Sequence, residues 1–157
     1  MSRTRIEPAE GCPIGRRLPL AVYGTLRTGF GNHGLLAGRI ERREAGVVEG
    51  FELFVDGIPF ARPAGSGSVI VEVIWPVPSL YDQVLADVDS LEGYSPYRHP
   101  PYNLYERLEV VVKLDRGGEV RAWMYRIGAS VRRFTVSRET LVPSGNYADV
   151  RDGNLDA

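Results

Sequence analysis

Short apolar runs separated by turn residues dominate the first half of the chain. Such runs predict strands, because β-branched and aromatic residues favour extended backbone while Gly, Pro and Asp interrupt it. We expect strands at residues 18–23, 45–55 and 69–75, a turn at 56–59 and a flexible hairpin tip at 64–68. The third run is continuously β-branched until Pro76, which is typical of a central strand.

Helical spacing appears in the middle of the chain. Apolar residues three or four positions apart define one helix face there: Leu80, Val84, Leu85, Val88 and Leu91. Ser79 is the expected N-cap, with Asp82 three residues on as in a capping box. The helix should end at Gly93, because glycine readily takes the left-handed conformation that follows a helix. A shorter helix is expected near Asn32, inside a glycine-rich loop of residues 24–34.

The second half of the chain returns to strand periodicity. Apolar and polar residues alternate through residues 104–114, a turn is predicted at 115–118, and residues 120–127 are the expected partner strand. The last thirty residues show neither period and are predicted to be loop and tail. These elements together predict an α+β fold, with a curled mixed sheet or small β-barrel covered by helices.

Length and composition indicate one globular domain. The chain has 157 residues, of which 43% are hydrophobic and 25% charged, so we expect a single core. The expected domain covers residues 18–150. A flexible N-terminal tail at 1–17 and a C-terminal tail at 151–157 flank it. With 19 basic and 20 acidic side chains the net charge is −1, so neither nucleic acid nor a membrane surface is an expected partner. A cytoplasmic location is expected, because no apolar segment has the length of a membrane span or the pattern of a signal peptide.

The residue types give no support for a protein-held metal or for disulfide chemistry. Cys12 is the single cysteine, which leaves no pair for a disulfide or a zinc site. The two histidines, His33 and His99, lie far apart without metal-ligand spacing. The sequence therefore predicts no metal site.

Glu92 is the candidate for acid–base chemistry. It falls in the last turn of the predicted helix, where the negative end of the helix dipole raises the pKa of a carboxyl above its usual value of about 4.3. Val88, Leu91 and the tyrosines that follow would partly desolvate the carboxyl and raise its pKa further. Such a group exchanges protons near neutral pH. The alternative is a carboxyl that is simply solvated at a helix end.

A second candidate lies where the first strand opens into the glycine loop, at Val-Tyr-Gly-Thr-Leu-Arg, residues 22–27. Successive backbone amides of Gly24, Thr25 and Leu26 can form a concave site for an anion. A carboxylate fits better than a phosphate chain, because the glycine spacing and Lys-Ser/Thr ending of a P-loop are missing. The alternative is an ordinary tight turn between strand and loop.

Four further side chains could complete a binding site. Tyr23 and Tyr105 are candidate hydroxyl contacts to a substrate, or alternatively core aromatic residues. Arg27 and Arg107 could hold a carboxylate through forked hydrogen bonds, although we expect Arg27 to lie solvated or ion-paired on the surface.

Four short motifs occur in a fixed order along the chain. Residues 22–27 are followed by Gly29 and Asn32, and then come Val-Asp-Ser-Leu-Glu-Gly at 88–93, Tyr-Glu-Arg at 105–107 and Ala-Trp-Met-Tyr at 122–125. The first motif resembles the opening motif of the gamma-glutamylcyclotransferase-like family, which includes gamma-glutamylamine cyclotransferases and avirulence-induced-gene-like proteins. The other three resemble its L-D-x-x-E-G, Y-x-R and A-W-x-Y motifs. The order and spacing agree over most of residues 18–147.

The resemblance implies a small β-barrel with flanking helices and an enzyme that releases 5-oxoproline from a γ-glutamyl amine or amide. It implies that Glu92 occupies the catalytic acid/base position and that residues 23–26 form a wall of the pocket. The substrate's own α-amine attacks its γ-carbonyl, so the nucleophile is tethered and the chemistry calls for no cofactor.

Two departures from the family pattern bear on substrate choice. Residues 71–75 fall where the family reads V-x-G-E-V/L-Y, so either Val73 replaces the glutamate or Glu72 is shifted by one position. The segment between Gly93 and Tyr105 is also longer than expected. Two alternatives to the cyclotransferase stay open: a catalytically silent module that binds a small carboxylate or a protein, and a hydrolase in which water attacks instead of the α-amine.

Overall fold

A computed structural model describes residues 17–95, 104–128 and 136–151 of the chain. Its strands are β1 (Leu20–Val22), β2 (Ile40–Asp56), β3 (Ile58–Pro76), β4 (Tyr105–Leu114), β5 (Glu119–Ile127) and β6 (Leu141–Val142). Its helices are α1 (Tyr81–Leu91) and α2 (Tyr147–Arg151), and short 3₁₀ helices cover His33–Leu35 and Pro78–Leu80. The tails expected at 1–17 and 151–157 lie almost wholly outside the described residues and stay predictions.

Five strands close into a mixed β-barrel. β1 pairs with β3 on one side and with β5 on the other, β5 pairs with β4, β4 with β2, and β2 returns to β3. The β1–β5 pairing is parallel and the others are antiparallel, while β6 extends the sheet beside β2. The predicted α+β fold with a small mixed barrel is confirmed, and closure leaves each of the five strands paired along both edges.

The long hairpin of β2 and β3 corrects one prediction. Its turn is at Gly57, within the predicted turn. The hairpin tip predicted at 64–68 is wrong, because these residues belong to β3, and the pairing with β2 continues on both sides of a register shift between Glu49 and Phe51. Small residues that favour a turn also suit a bulge, so composition alone did not distinguish the two.

Apolar side chains on the two faces of the same strands form two cores. Neighbouring residues of β1, β3 and β5 belong to different clusters: Ala21, Val73 and Met124 to the first, Leu20, Ile74 and Tyr125 to the second. The second cluster also takes in buried residues of α1, namely Tyr81, Val84, Leu85 and Val88. The first therefore fills the barrel, whereas the second joins α1 to its outer surface and fixes where the helix ends.

Two local predictions near helices are also corrected. Ser79 is not the N-cap of α1, because it lies inside the 3₁₀ helix that begins at Pro78, and Leu80 occupies the cap position without a side-chain bond. The last thirty residues include β6 and α2, with two and five residues, which are too short to show a period in the sequence.

Candidate active site

A cavity of about 280 Å³ opens where β1 ends. It is bounded by the glycine loop, the β2–β3 turn, the last turn of α1 and the start of β4. The structure brings together here all six site residues selected from the sequence: Tyr23, Gly24, Thr25, Leu26, Glu92 and Tyr105. The other lining residues are Ala21, Val22, Asn32, Gly57, Ile58, Pro59, Leu91, Leu104, Tyr125 and Tyr147. This volume lies just below about 300 Å³, the usual lower limit for pockets that bind small molecules.

The end of α1 holds Glu92 in place through a Schellman motif. Gly93 has φ +65°, its amide donates to the Ser90 carbonyl at 3.2 Å, and the Tyr94 amide donates to the Asp89 carbonyl at 2.9 Å. A Cβ on Gly93 would lie 3.0 Å from the Cβ of Leu104, so glycine also allows the close approach of the chain that enters β4. The helix ends at the predicted glycine and leaves Glu92 as its C-cap.

The carboxyl of Glu92 is half-buried and forms no hydrogen bond with any described residue. Burial raises its pKa to about 7, and the negative charge of Asp89 adds to the increase. The sequence correctly indicated the direction of this shift and the part played by burial. It did not include Asp89, which lies three residues earlier on the same helix.

Asp89 belongs to a buried polar network behind Glu92. Its Oδ1 accepts a hydrogen bond from the Tyr125 hydroxyl, and its Oδ2 lies 3.2 Å from Nη1 of Arg107. That second contact is an ion pair without hydrogen-bond alignment, since Nη1 has no hydrogen-bond partner among the described residues. The Arg107 side chain is only 3% exposed and lies between the rings of Tyr94 and Trp123, at 5.3 and 5.0 Å. Arg107 is therefore a buried structural partner of Asp89.

The glycine loop turns its carbonyl groups toward its own chain. The Gly24 carbonyl accepts from the Arg27 amide at 3.0 Å, and the Thr25 carbonyl accepts from the Asn32 amide at 2.8 Å. The Leu26 carbonyl lies 2.9 Å from Nδ1 of His33, which therefore donates to it. In the described part of the chain, the amides of residues 24–26 donate to no acceptor. All three residues line the cavity, so anion binding by their amides stays a prediction that this geometry allows.

Close packing and two side-chain contacts hold this loop in position. A Cβ on Gly24 would lie 2.7 Å from Cγ of Pro59, so a larger residue could enter only if the β2–β3 turn moved. Glu72 accepts hydrogen bonds from the amide and hydroxyl of Thr28, at 2.7 and 2.8 Å. Arg27 donates to Asn146 Oδ1 at 2.9 Å and is half-buried, so the expectation that it is a solvated or ion-paired surface residue is not met.

Glu72 and Val73, the two residues at the position where the family pattern has a glutamate, lie in different surroundings in β3. Glu72 pairs in register with Val22 and contacts the glycine loop, whereas Val73 is fully buried in the first core. Neither residue lines the cavity. The longer segment before Tyr105 falls mostly at residues 96–103, outside the described residues.

The two tyrosine hydroxyls in the cavity wall are bound differently. The Tyr23 hydroxyl accepts a hydrogen bond from the Ala61 amide at 3.1 Å, so its own proton can still be donated. The Tyr105 hydroxyl donates its proton to the Pro59 carbonyl, so it can only accept from a ligand. Burial raises the pKa of both hydroxyls above the usual range, which keeps them protonated at neutral pH. The pair therefore offers one donor and one acceptor.

Asn32 and Tyr147 also line the cavity, and sequence reasoning gave neither a role there. The Asn32 amide nitrogen Nδ2 donates to the Thr25 hydroxyl at 2.7 Å, which leaves that hydroxyl's proton free to point elsewhere. Tyr147 lies at the start of α2, with its ring 5.4 Å from that of Phe30 in the glycine loop. Nothing in the local sequence of residues 144–148 indicates that they return to this cavity.

Among the described residues, no helix combines the length and apolarity needed to cross a membrane. No group of three or more His, Cys, Asp or Glu side chains among them could hold a metal ion.

Comparison with known proteins identifies relatives across nearly the whole described chain. The profile of the family described as gamma-glutamyl cyclotransferase, AIG2-like, matches residues 20–149. A protein of Methanocaldococcus jannaschii, provisionally named a gamma-glutamylcyclotransferase, is 34% identical over 131 residues, which are 83% of this chain and 95% of that protein.

Solved structures show the same fold. An uncharacterized protein of Pyrococcus horikoshii has a TM-score of 0.58 at 23% identity and covers 87% of this chain and 94% of its own. YkqA of Bacillus subtilis has a TM-score of 0.62 at 23% identity, covering 88% of this chain and 43% of its own.

Proposed function

The chain belongs to the AIG2-like gamma-glutamyl cyclotransferase family, and from this we propose that it releases 5-oxoproline from a γ-glutamyl amine or amide. Glu92 is the general acid and base of this reaction, and the amides of residues 24–26 hold the glutamyl unit. The observation that carries the proposal is one cavity lined both by a carboxyl whose pKa is about 7 and by three amides, all without hydrogen-bond partners among the described residues.

Binding follows from the polarity of the cavity groups. The α-carboxylate of the glutamyl unit accepts from the free amides of residues 24–26 and from the Thr25 hydroxyl, both of which favour an anion. The α-ammonium donates to the Tyr105 hydroxyl oxygen, whose own proton is already bound to Pro59. The Tyr23 hydroxyl supplies a proton donor for the γ-carbonyl oxygen as negative charge develops there.

The reaction moves two protons from the α-nitrogen to the leaving nitrogen. Glu92, as a carboxylate, takes the first proton from the α-ammonium, and the freed amine nitrogen forms a bond to the γ-carbonyl carbon, whose oxygen becomes an oxyanion. The carboxylic acid of Glu92 gives this proton to the leaving nitrogen, the bond from the carbon to that nitrogen breaks, and the carbonyl forms again. Glu92 then takes the second proton, which the ring nitrogen still carries, and passes it to the released amine. The products are 5-oxoproline and a protonated amine, and Glu92 is again a carboxylate. A pKa of about 7 suits both steps, because each form is accessible at neutral pH.

The tethered nucleophile limits what the protein must supply. Well-oriented intramolecular reactions reach effective molarities on the order of 10⁵ M or more, so a folded glutamyl chain already lowers the barrier. Proton transfer by a positioned carboxyl adds about 10²- to 10⁴-fold. The cavity therefore needs to fold the substrate, exclude bulk water and move a proton.

The test is a Glu92→Gln variant assayed for 5-oxoproline on a panel of γ-glutamyl amides. The wild-type chain should release 5-oxoproline, and Glu92→Gln should reduce the rate by about 10²-fold or more, because the amide cannot exchange the proton. Glu119→Gln is the matched control: Glu119 is exposed at the start of β5, and its replacement should leave the rate unchanged.

The other outcomes identify the alternatives. Free glutamate in place of 5-oxoproline would identify a hydrolase. Binding of the glutamyl compounds without turnover would identify a silent binding module. Full activity in Glu92→Gln would remove Glu92 from the mechanism.

A further inference from the structure

Exposure divides the cavity wall into a floor and a rim. The floor residues are nearly inaccessible to solvent, each at most 7% exposed: Ala21, Val22, Tyr23, Leu26, Tyr105 and Tyr125. The rim that faces solvent is formed by the half-buried and exposed lining residues: Leu91, which is 44% exposed, together with Ile58, Leu104, Tyr147, Thr25, Asn32, Gly57, Pro59 and Glu92. A ligand in the cavity therefore has one end against the floor and the other against the rim.

Three of the polar groups proposed to bind the glutamyl unit lie on the floor: the hydroxyls of Tyr23 and Tyr105, and the amide of Leu26, which has no partner among the described residues. Thr25 and Glu92 are half-buried. With the glutamyl unit held by these groups, the leaving amine extends toward the rim. The rim therefore determines which amines are accepted.

Four separate elements each contribute an apolar side chain to the rim: Leu91 stands in the last turn of α1, Ile58 follows the β2–β3 turn, Leu104 precedes β4, and Tyr147 begins α2. The polar side chains of the rim are those of Thr25, Asn32 and Glu92, and Nδ2 of Asn32 is already bound to Thr25. Apart from Glu92, none of the described lining residues is Asp, Glu, Lys, Arg or His.

From this arrangement, and resting on the proposed function, we infer that the leaving amine of the substrate is neutral and apolar: an alkylamine or arylalkylamine. Such a group covers Leu91, which is otherwise an unusually exposed large apolar side chain, and removes apolar surface from water on both partners. A charged end on the amine would lie against the same side chains and lose hydration without gaining a partner. Specificity in this site thus comes from the apolar side chains of the rim.

Three γ-glutamyl compounds with the same spacer of three methylene groups test this inference: the butylamide, the 3-aminopropylamide and the amide of 4-aminobutyrate. They differ only in a terminal methyl, ammonium or carboxylate group. Dissociation constants are measured by calorimetry on Glu92→Gln, which binds without turnover. The butylamide should bind about tenfold or more tightly than either charged compound, because an unpaired charge against an apolar wall costs more than this factor.

A rim variant gives a second and independent measurement. Leu91→Lys, added to Glu92→Gln, places a cation at the rim and should improve binding of the carboxylate compound several-fold while weakening that of the ammonium compound. Lysine is tolerated there, because Leu91 is exposed and lies at the negative end of α1. The matched control is Val111→Lys, at an apolar residue 40% exposed on β4 and outside the cavity wall, which should leave the ranking unchanged.

The outcomes separate this inference from the proposed function. Equal or tighter binding of a charged compound, or failure of all three to bind, overturns the apolar-amine inference. Release of 5-oxoproline by the wild-type chain from any of the three supports the proposed function whatever the ranking. The butylamide ranked first together with no 5-oxoproline would keep the apolar rim and reject the cyclotransferase.

Discussion

Two carboxyls at the end of α1 lie in opposite surroundings. Asp89 is buried and contacts both Tyr125 and Arg107, on the side of the helix that faces the barrel. Glu92, three residues later, is half-buried in the cavity wall and has no hydrogen-bond partner among the described residues. The residues differ by one methylene group, so their difference in behaviour comes from position.

From this contrast we propose that Asp89 is the structural carboxyl and Glu92 the reactive one. Burial raises the pKa of both, but the Tyr125 hydrogen bond and the Arg107 charge oppose the rise at Asp89. At Glu92 nothing opposes it, and the charge of Asp89 adds to it. A satisfied carboxyl stabilises the fold, whereas an unsatisfied one is available to a ligand. The predictions below test this division in order of decreasing effect.

The largest effect is expected on stability when Asp89 is removed. Asp89→Ala leaves the buried guanidinium of Arg107 without its counter-ion and the Tyr125 hydroxyl without its acceptor. Breaking a buried pair from one side lowers the free energy of unfolding by about 3–5 kcal/mol. Urea unfolding followed by circular dichroism at neutral pH measures this loss.

The control for Asp89 is Asp82, in the first turn of the same helix. Asp82 pairs with Arg17 at 3.1 Å, and both side chains are at least half exposed. Asp82→Ala should therefore change the free energy of unfolding by less than about 1 kcal/mol. A similar small loss in both variants would show that Asp89 is not the structural carboxyl.

A smaller effect of opposite sign is expected at Glu92. Between the ordinary pKa of 4.5 and the folded value of about 7, the folded chain holds a proton that the unfolded chain has lost. Stability contributed by this group is present below pH 4.5 and is lost as the pH rises to 7. Glu92→Gln avoids the loss, so its free energy of unfolding should exceed that of the wild type at pH 8 by up to about 3 kcal/mol. At pH 4 the two should be nearly equal, and an equal difference at both pH values would contradict the raised pKa.

Sequence reasoning placed Glu92, the proposed reactive carboxyl, at the end of α1 because local features define its position. Gly93 ends α1 in a way that short-range chain geometry dictates, and the helical period places Glu92 at that end. The closed barrel was also predictable in class, because short apolar runs and one alternating segment indicate strands, and the motif resemblance narrowed the choice of folds. Features that depend on a few neighbouring residues were therefore accessible from the sequence.

The contacts that distinguish the two carboxyls were not accessible in this way. Asp89 meets Tyr125, 36 residues later, only because β5 packs under α1. Tyr147 reaches the cavity by a return of the chain that no pattern in residues 144–148 indicates. The bulge at residues 64–67 was mistaken for a hairpin tip, because strand pairing at a distance decides between the two. Long-range pairing, which one sequence does not display, supplies these parts of the site.

The smallest effect concerns the electrostatic influence of one carboxyl on the other. In Asp89→Asn the substituted amide still accepts the Tyr125 hydrogen bond, but the negative charge near Glu92 is gone and the Arg107 charge stays. Loss of that negative charge favours the ionised form of Glu92, so its pKa falls, by about one unit or less because burial, the larger cause, is unchanged. The acidic limb of the pH profile of kcat/KM should move down by this amount, since the reaction needs Glu92 as a carboxylate in the free enzyme. The control is Asp87→Asn. Asp87 lies on the same helix as Asp89 and its carboxylate pairs with Arg39 at 2.9 Å, so this substitution should leave the acidic limb in place. A role of Asp89 confined to folding would lower kcat/KM equally at every pH, so movement of the limb is the result that separates an electrostatic role from a structural one.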